Sequence, residues 1–167
     1  VVPEKRDPKT LDIKTFVEES EIIFVAVPTP MNADGSANLD IVRSVCEEIQ
    51  EIDDTKYIVL RSTVPPGTSE ELDVNFMPEF LTEKNWEEDF KNCDQWILGS
   101  TDPFLYEKMK RMFELAYNGG TGSVVNKQVI QCKPSEAEMI KYLKNVFLSV
   151  KVGFFNELES ICSKVGV

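Results

Sequence analysis

The chain has 167 residues, 42% of them apolar and 28% charged, with 29 acidic against 18 basic side chains and a formal net charge of −11. Such a length buries a core of its own, and the acidic balance, unbroken by any basic cluster in the sequence, argues against nucleic acid or an anionic membrane as partner. With no histidine, the Ser-His and Cys-His pairs of nucleophilic catalysis are excluded, so acid-base chemistry falls to carboxylates and lysine.

The opening VVPEKRDPK has no signal-peptide pattern, and no segment approaches the length of a membrane span. Glu21 to Val27 (EIIFVAV) and Lys56 to Leu60 (KYIVL) are short, β-branched apolar runs, the pattern of strands buried on both faces of a parallel sheet. Between them Leu39, Val42, Val45, Cys46, Ile49 and Ile52 recur at helical spacing. A third run, Gln95 to Leu98, leads to Asp102 as N-cap and Pro103 at the first helical position, with Leu105, Met109, Met112, Phe113 and Ala116 on one face and Gly119 or Gly120 past the end. The glycines from Gly119 to Gly122 follow a helix, not a strand, so they read as its end and a loop and not as a phosphate cradle. Gln128 to Cys132 is a further strand.

Ser135 to Val167 reads as one long helix, opened by a capping box of Ser135 and Glu138. Its apolar stripe runs through Ala137, Ile140, Leu143, Phe147, Val150, Phe154, Leu158, Ile161 and Val165. At 1.5 Å per residue it would extend on the order of 50 Å, a spine between domains or subunits. Lys141 and Asn145 sit one turn apart on its flank, where an ammonium and an amide can together hold a developing negative charge.

The alternation of strands and helices predicts an open α/β sheet with ligands beyond the carboxyl ends of its strands. The loops there, VPTPMNADG and RSTVPPGT, pair hydroxyls with prolines in a stiff polar rim. In MPEFLTE, Glu79 stands beside an apolar wall of Phe80 and Leu81, a general-base candidate competing with the reading of Glu79 and Glu83 as solvated surface charges. Trp86 and Trp96 read as packing residues. Cys46, Cys93, Cys132 and Cys162 are too scattered for a zinc site. They read as reduced, mostly buried thiols of a cytoplasmic protein.

Taken in order, VPTP, STVPPGT, PEFLTE, EMIKYLKN and FFNE resemble the nucleotide-sugar dehydrogenases, the UDP-glucose/GDP-mannose dehydrogenase family, from about Asp12 to Val167. The resemblance implies a Rossmann-like NAD-binding domain over residues 1–133, a central helix over 134–167 that builds a homodimer, and a UDP-binding domain beyond the chain. The implied activity is NAD-dependent oxidation of UDP-glucose to UDP-glucuronate, through a thioester on a cysteine that none of the four here matches. GDP-mannose or another nucleotide sugar is the alternative substrate. By the same resemblance Val27, Pro28, Thr29, Pro30, Met31, Ser62, Thr63 and Val64 line the NAD site, with Glu83 near the nicotinamide. Thr63 helps hold a catalytic water, and Glu79 is the general base for thioester hydrolysis. Lys141 and Asn145 steady the C6 alkoxide and later oxyanions, and Phe80, Leu81 and Thr82 also contact the nucleotide sugar.

The chain departs from the family pattern in several places. The family's first strand and glycine-rich phosphate loop would precede Val1, and only Glu4 or Asp7 could stand in for the acidic residue that holds the adenosine ribose. Met77 replaces an asparagine or serine before PEFL. Few residues separate Thr68 from Asn75, where the family has most of a helix and a loop. A compact domain is expected to have trouble bridging so quickly, which makes this a piece, or joined pieces, of a longer enzyme. The competing expectation is a non-catalytic module that dimerises through the long helix and binds a nucleotide.

Overall fold

A computed structural model describes residues 12–82, 84–119 and 124–166. Five strands, β1 (Ile22–Val25), β2 (Tyr57–Leu60), β3 (Asn75–Phe76), β4 (Trp96–Gly99) and β5 (Val129–Cys132), form one sheet in chain order. The pairs β1–β2, β2–β3 and β4–β5 are parallel, whereas β3 meets β4 antiparallel through Phe76 and Gly99. The helices are α1 (Ile13–Glu19), α2 (Asp40–Ile52), α3 (Thr68–Glu71), α4 (Trp86–Lys91), α5 (Pro103–Asn118) and α6 (Pro134–Val165).

Two apolar layers sandwich the middle of the sheet. Ile58 and Leu60 of β2 point into one with Val42, Cys46 and Ile49 of α2, while Val59 between them points into the other with Leu105, Met109 and Phe113 of α5. That alternation is the period of two of a strand covered on both faces. β1 departs from the expectation. Ile23 and Val25 are buried, but Phe24 is 41% exposed, because the second layer covers that face of the edge strand only at Ile22.

Asp102 caps α5 by accepting from the amides of Phe104 and Leu105, with Pro103 next to it. Gly119 forms its end, and Gly120, Thr121 and Gly122 lie outside the described residues. Trp96 is a packing residue, stacked on Phe113 at 4.1 Å with its indole nitrogen donating to the Asn126 carbonyl. Of the cysteines only Cys46 is buried, and the other three are half-buried, fewer than the sequence reading expects.

The start of α6 differs from the expected capping box. Pro134 takes the first helical position, where its missing N–H costs nothing, and Glu136 accepts from the Lys133 amide. Ser135 and Glu138 are thereby free for other partners, Ser135 donating to Glu70 across the fold. Gly99 lets this first turn press onto β4, since a Cβ there would lie 2.8 Å from both Ala137 Cβ and Pro134 Cα.

The crossover between β2 and β3 is made by residues 61–74 with the single turn of α3, so the short stretch from Thr68 to Asn75 is bridged within a continuous fold. A left-handed Gly67 (φ 98°) opens that turn. Fully buried Glu138, reaching over from α6, accepts from the Gly67 amide (2.5 Å), the Ser69 amide (2.7 Å) and the Ser69 hydroxyl (2.6 Å). Sequence distance hid this cap.

Candidate functional site

The first turn of α6 packs on β4, and its later turns, from Lys141 to Lys151, border a cleft of about 710 Å³ at the carboxyl ends of β1 and β2. The β1 loop contributes Val27, Pro28 and Thr29, and the β2 loop Arg61, Ser62 and Thr63. Glu79 to Thr82 follow β3, and α6 adds Lys141, Lys144, Asn145 and Lys151. The two strand loops are tied by Ser62, whose hydroxyl accepts from the Val27 amide at 2.9 Å and donates to the Val27 carbonyl at 2.7 Å. One side chain thus fixes the rim that the proline-rich loops were expected to make.

At the floor stands Lys141, 6% exposed, donating from Nζ to the Arg61 carbonyl at 2.5 Å. Burial pulls its pKa down to about 8, with Glu79 opposing and the Arg61 guanidinium assisting the shift. Arg61 is itself held below the usual arginine range by desolvation, against the attraction of Glu79. Its Nε makes no hydrogen bond and lies 3.4 Å from a Glu79 carboxylate oxygen. The result is a lysine poised between charged and neutral near physiological pH, next to a carboxylate and an amide: Glu79 and Asn145 border the same cleft.

Helix α6 grips the β2 loop at two points one turn apart, Glu138 on Gly67 and Ser69 and Lys141 on Arg61. The loop from Pro78 to Thr82 is pinned separately. Thr82 donates from its amide and hydroxyl to Asp89 of α4 at 2.8 and 2.6 Å, bonds that hold the Asp89 pKa below the usual carboxylate range. Over the Phe80 ring lies the Lys144 ammonium, 3.8 Å from the centroid.

Of the residues singled out in the sequence, Val27, Pro28, Thr29, Ser62, Thr63, Glu79, Phe80, Leu81, Thr82, Lys141 and Asn145 come together here. Pro30 and Met31 do not. Their loop turns back on itself, with the Asn38 amide donating to the Pro30 carbonyl and Met31 bridging Ala37, 78% exposed. Val64 points into the core, 1% exposed. Glu83, Glu4 and Asp7 lie outside the described residues. The sequence reading missed Arg61, Asp89, Glu138, Lys144 and Lys151. A signal existed for the lysines, since positions 141, 144 and 151 share one helical face. Together with Arg61 they form a basic cluster that no run of sequence displays. Among the described residues no group of three or more side chains could hold a metal ion, and no helix is long and apolar enough to cross a membrane.

Residues 2–117 match the family model for the NAD binding domain of the UDP-glucose/GDP-mannose dehydrogenase family, and residues 135–167 match that of its central domain. UDP-glucose 6-dehydrogenase TuaD of Bacillus subtilis is 33% identical over 94% of this chain and 35% of its own length. The UDP-glucose 6-dehydrogenase of Rhizobium meliloti is 34% identical over 94% of the chain and 38% of its own. The chain therefore spans little more than a third of these relatives. Among solved structures, a ternary complex of GDP-mannose dehydrogenase from Pseudomonas aeruginosa superposes with a TM-score of 0.81 at 29% identity, covering 93% of this chain and 38% of that one. A UDP-glucose dehydrogenase from Pyrobaculum islandicum gives 0.75 at 29% identity, over 88% of this chain and 36% of the other.

Proposed function

The chain belongs to the UDP-glucose/GDP-mannose dehydrogenase family, and from that premise we propose that it contributes the oxidation site of an NAD-dependent enzyme that converts UDP-glucose to UDP-glucuronate. Residues 1–133 are the NAD-binding unit in this reading, and 134–167 the helix that leads to the remainder of the protein. The observation that carries it is the desolvated Lys141 beside Glu79 and Asn145, at the carboxyl ends of two parallel strands. Like the named relatives, the protein would act on a nucleotide sugar, and its free thiols suit the reducing cytoplasm.

The cleft fits the nicotinamide end of NAD. Its volume lies in the range of cofactor sites, Val27 and Pro28 supply an apolar wall, and Thr29 and Thr63 bring hydroxyls to the lining. When bound, NAD supplies the hydride acceptor. The C6 hydroxyl gives its proton to water in the open cleft, Lys141, as its ammonium, holds the oxygen as negative charge grows there, and Asn145 donates to the same oxygen from one turn further along. Glu79 serves as the base that draws a proton from a water held near Thr63. That step hydrolyses a thioester on a cysteine outside these residues. Phe80, Leu81 and Thr82 form the shelf on which the sugar rests.

The preference for UDP-glucose follows the named relatives, while the 0.81 superposition on a GDP-mannose dehydrogenase favours GDP-mannose as the second reading. NADH formation by the full-length protein with each nucleotide sugar decides between them. Faster turnover of UDP-glucose is expected, the reverse order selects GDP-mannose, and no NADH with any nucleotide sugar returns the chain to a binding or dimerisation module.

A further inference from the structure

The cleft is cationic in a chain that is strongly anionic. Among the described residues, Arg61, Lys141, Lys144 and Lys151 line it against one carboxylate, Glu79, although the chain as a whole carries −11. Arg61 is engaged with Glu79, and Lys141 with the Arg61 carbonyl. Lys144 and Lys151 lie instead on aromatic rings, 3.8 Å from the Phe80 centroid and 5.7 Å from that of Phe147. No carboxylate among the described residues forms an ion pair with either. In a chain with so many acidic side chains, an ammonium resting on a ring within a cleft keeps its charge available to an incoming anion.

Lys144 holds the more telling position. It is three residues beyond Lys141 on the same face of α6, about 5–6 Å away between Cβ atoms, roughly the breadth of a hexose ring. It also borders a second cavity of about 420 Å³ on the far side of the Phe80 loop, lined by Arg61, Cys93, Trp96 and Ile140 and by the carboxylates Glu79, Asp89 and Asp94, none of which pairs with Lys144. Lys144 therefore stands where the two spaces meet, with Phe80 beneath it. A sugar with its oxidised carbon at Lys141 and its long axis along α6 would bring its opposite edge, the phosphorylated one, to Lys144.

Building on the reading of the site given above, we propose that Lys144 is a substrate-binding residue that takes a phosphate of the nucleoside diphosphate. The Phe80 ring holds the ammonium in place until the phosphate arrives, a weaker contact exchanged for a stronger one. A compact ammonium with three rotatable donors suits a phosphate oxygen approached from a range of directions.

The test uses the full-length protein with Lys144→Met, which keeps the contact with Phe80 and removes the charge, and Lys144→Arg, which keeps both. Inhibition of nucleotide-sugar oxidation is measured with UDP and with uridine, or with GDP and guanosine where GDP-mannose is the substrate. Lys144→Met is expected to weaken the diphosphate about tenfold, the weight of one hydrogen bond to a charged group, with the nucleoside unaffected. The KM for the nucleotide sugar rises in step, kcat holds, and Lys144→Arg stays within about threefold of wild type because the charge is retained. Equal loss for nucleoside and diphosphate would reduce Lys144 to a support for Phe80 and overturn the proposal, as would a Met variant that binds the diphosphate like wild type. A wild-type protein that oxidises no nucleotide sugar fails at an earlier point and removes the underlying reading, which separates the two failures.

Discussion

Lys141 joins the site's chemistry to its burial. A lysine pulled down to about 8 is mostly protonated at neutral pH, and the charge it would offer an alkoxide in the proposed reaction disappears as pH rises through that value. A rate profile with a basic limb near 8 is therefore expected in wild type, and in Lys141→Arg, whose guanidinium stays charged, that limb vanishes at whatever rate survives. A limb that persists in the arginine variant belongs to another group. Stability moves the other way. Between about 8 and the unfolded lysine value the unfolded chain binds more protons, so the burial penalty on Lys141, fully present below 8, is relieved as pH climbs. At this scale the sequence identified the residue types and most of the members of the cleft, because the two loops follow apolar strands, Lys141 and Asn145 lie on the flank of a long helix, and Glu79 to Thr82 sit in a motif that resembles the family's. It did not identify Arg61 or Lys144, whose roles come from tertiary neighbours, Glu79 and Phe80, that local spacing cannot supply.

Among the elements, the coupling of α6 to the β2 loop is the feature on which the site depends. Glu138 satisfies two backbone donors and a hydroxyl, and removing it leaves them buried without a partner. Glu138→Ala should cost about 3 kcal/mol, lowering the melting midpoint by roughly 10 °C for a chain of this size. A midpoint within a degree or two of wild type would show that the contact does not hold the loop. The long elements, α2, α5 and α6, were legible because periodicity accumulates over many residues. The short ones were not. α3 is one turn held by Glu138, and β3 is two residues that pair parallel on one side and antiparallel on the other. α4 carries Glu87, Glu88 and Asp89 in its first turn but has no buried residue to give it a stripe.

For the whole molecule, α6 poses the largest question of burial. It runs 32 residues, about 48 Å, yet its buried residues end at Lys141. Leu143, Phe147, Val150, Phe154, Leu158, Ile161 and Val165 are all exposed, a contiguous apolar face of the kind that marks an interface. A homodimer through this helix is the proposed cover. Phe154→Glu combined with Leu158→Glu should convert the dimer to a monomer in sedimentation equilibrium, and an unchanged mass would assign the face to another part of the same protein. The apolar stripe was plain in the sequence. Its exposure was not, because spacing alone does not distinguish a face that meets the fold's own sheet from one that meets something else.

In the proposed reaction the cleft beneath α6 oxidises a nucleotide sugar with Lys141 as its charge-stabilising group. The most direct test is the rate of NADH formation by full-length Lys141→Ala beside wild type, with the melting midpoint of each recorded. Loss of one preorganised donor predicts a fall in kcat on the order of a hundredfold or more, with the midpoint affected far less, because relief of the buried charge offsets the loss of the Arg61 carbonyl's donor. A variant that turns over at the wild-type rate would remove Lys141 from the reaction.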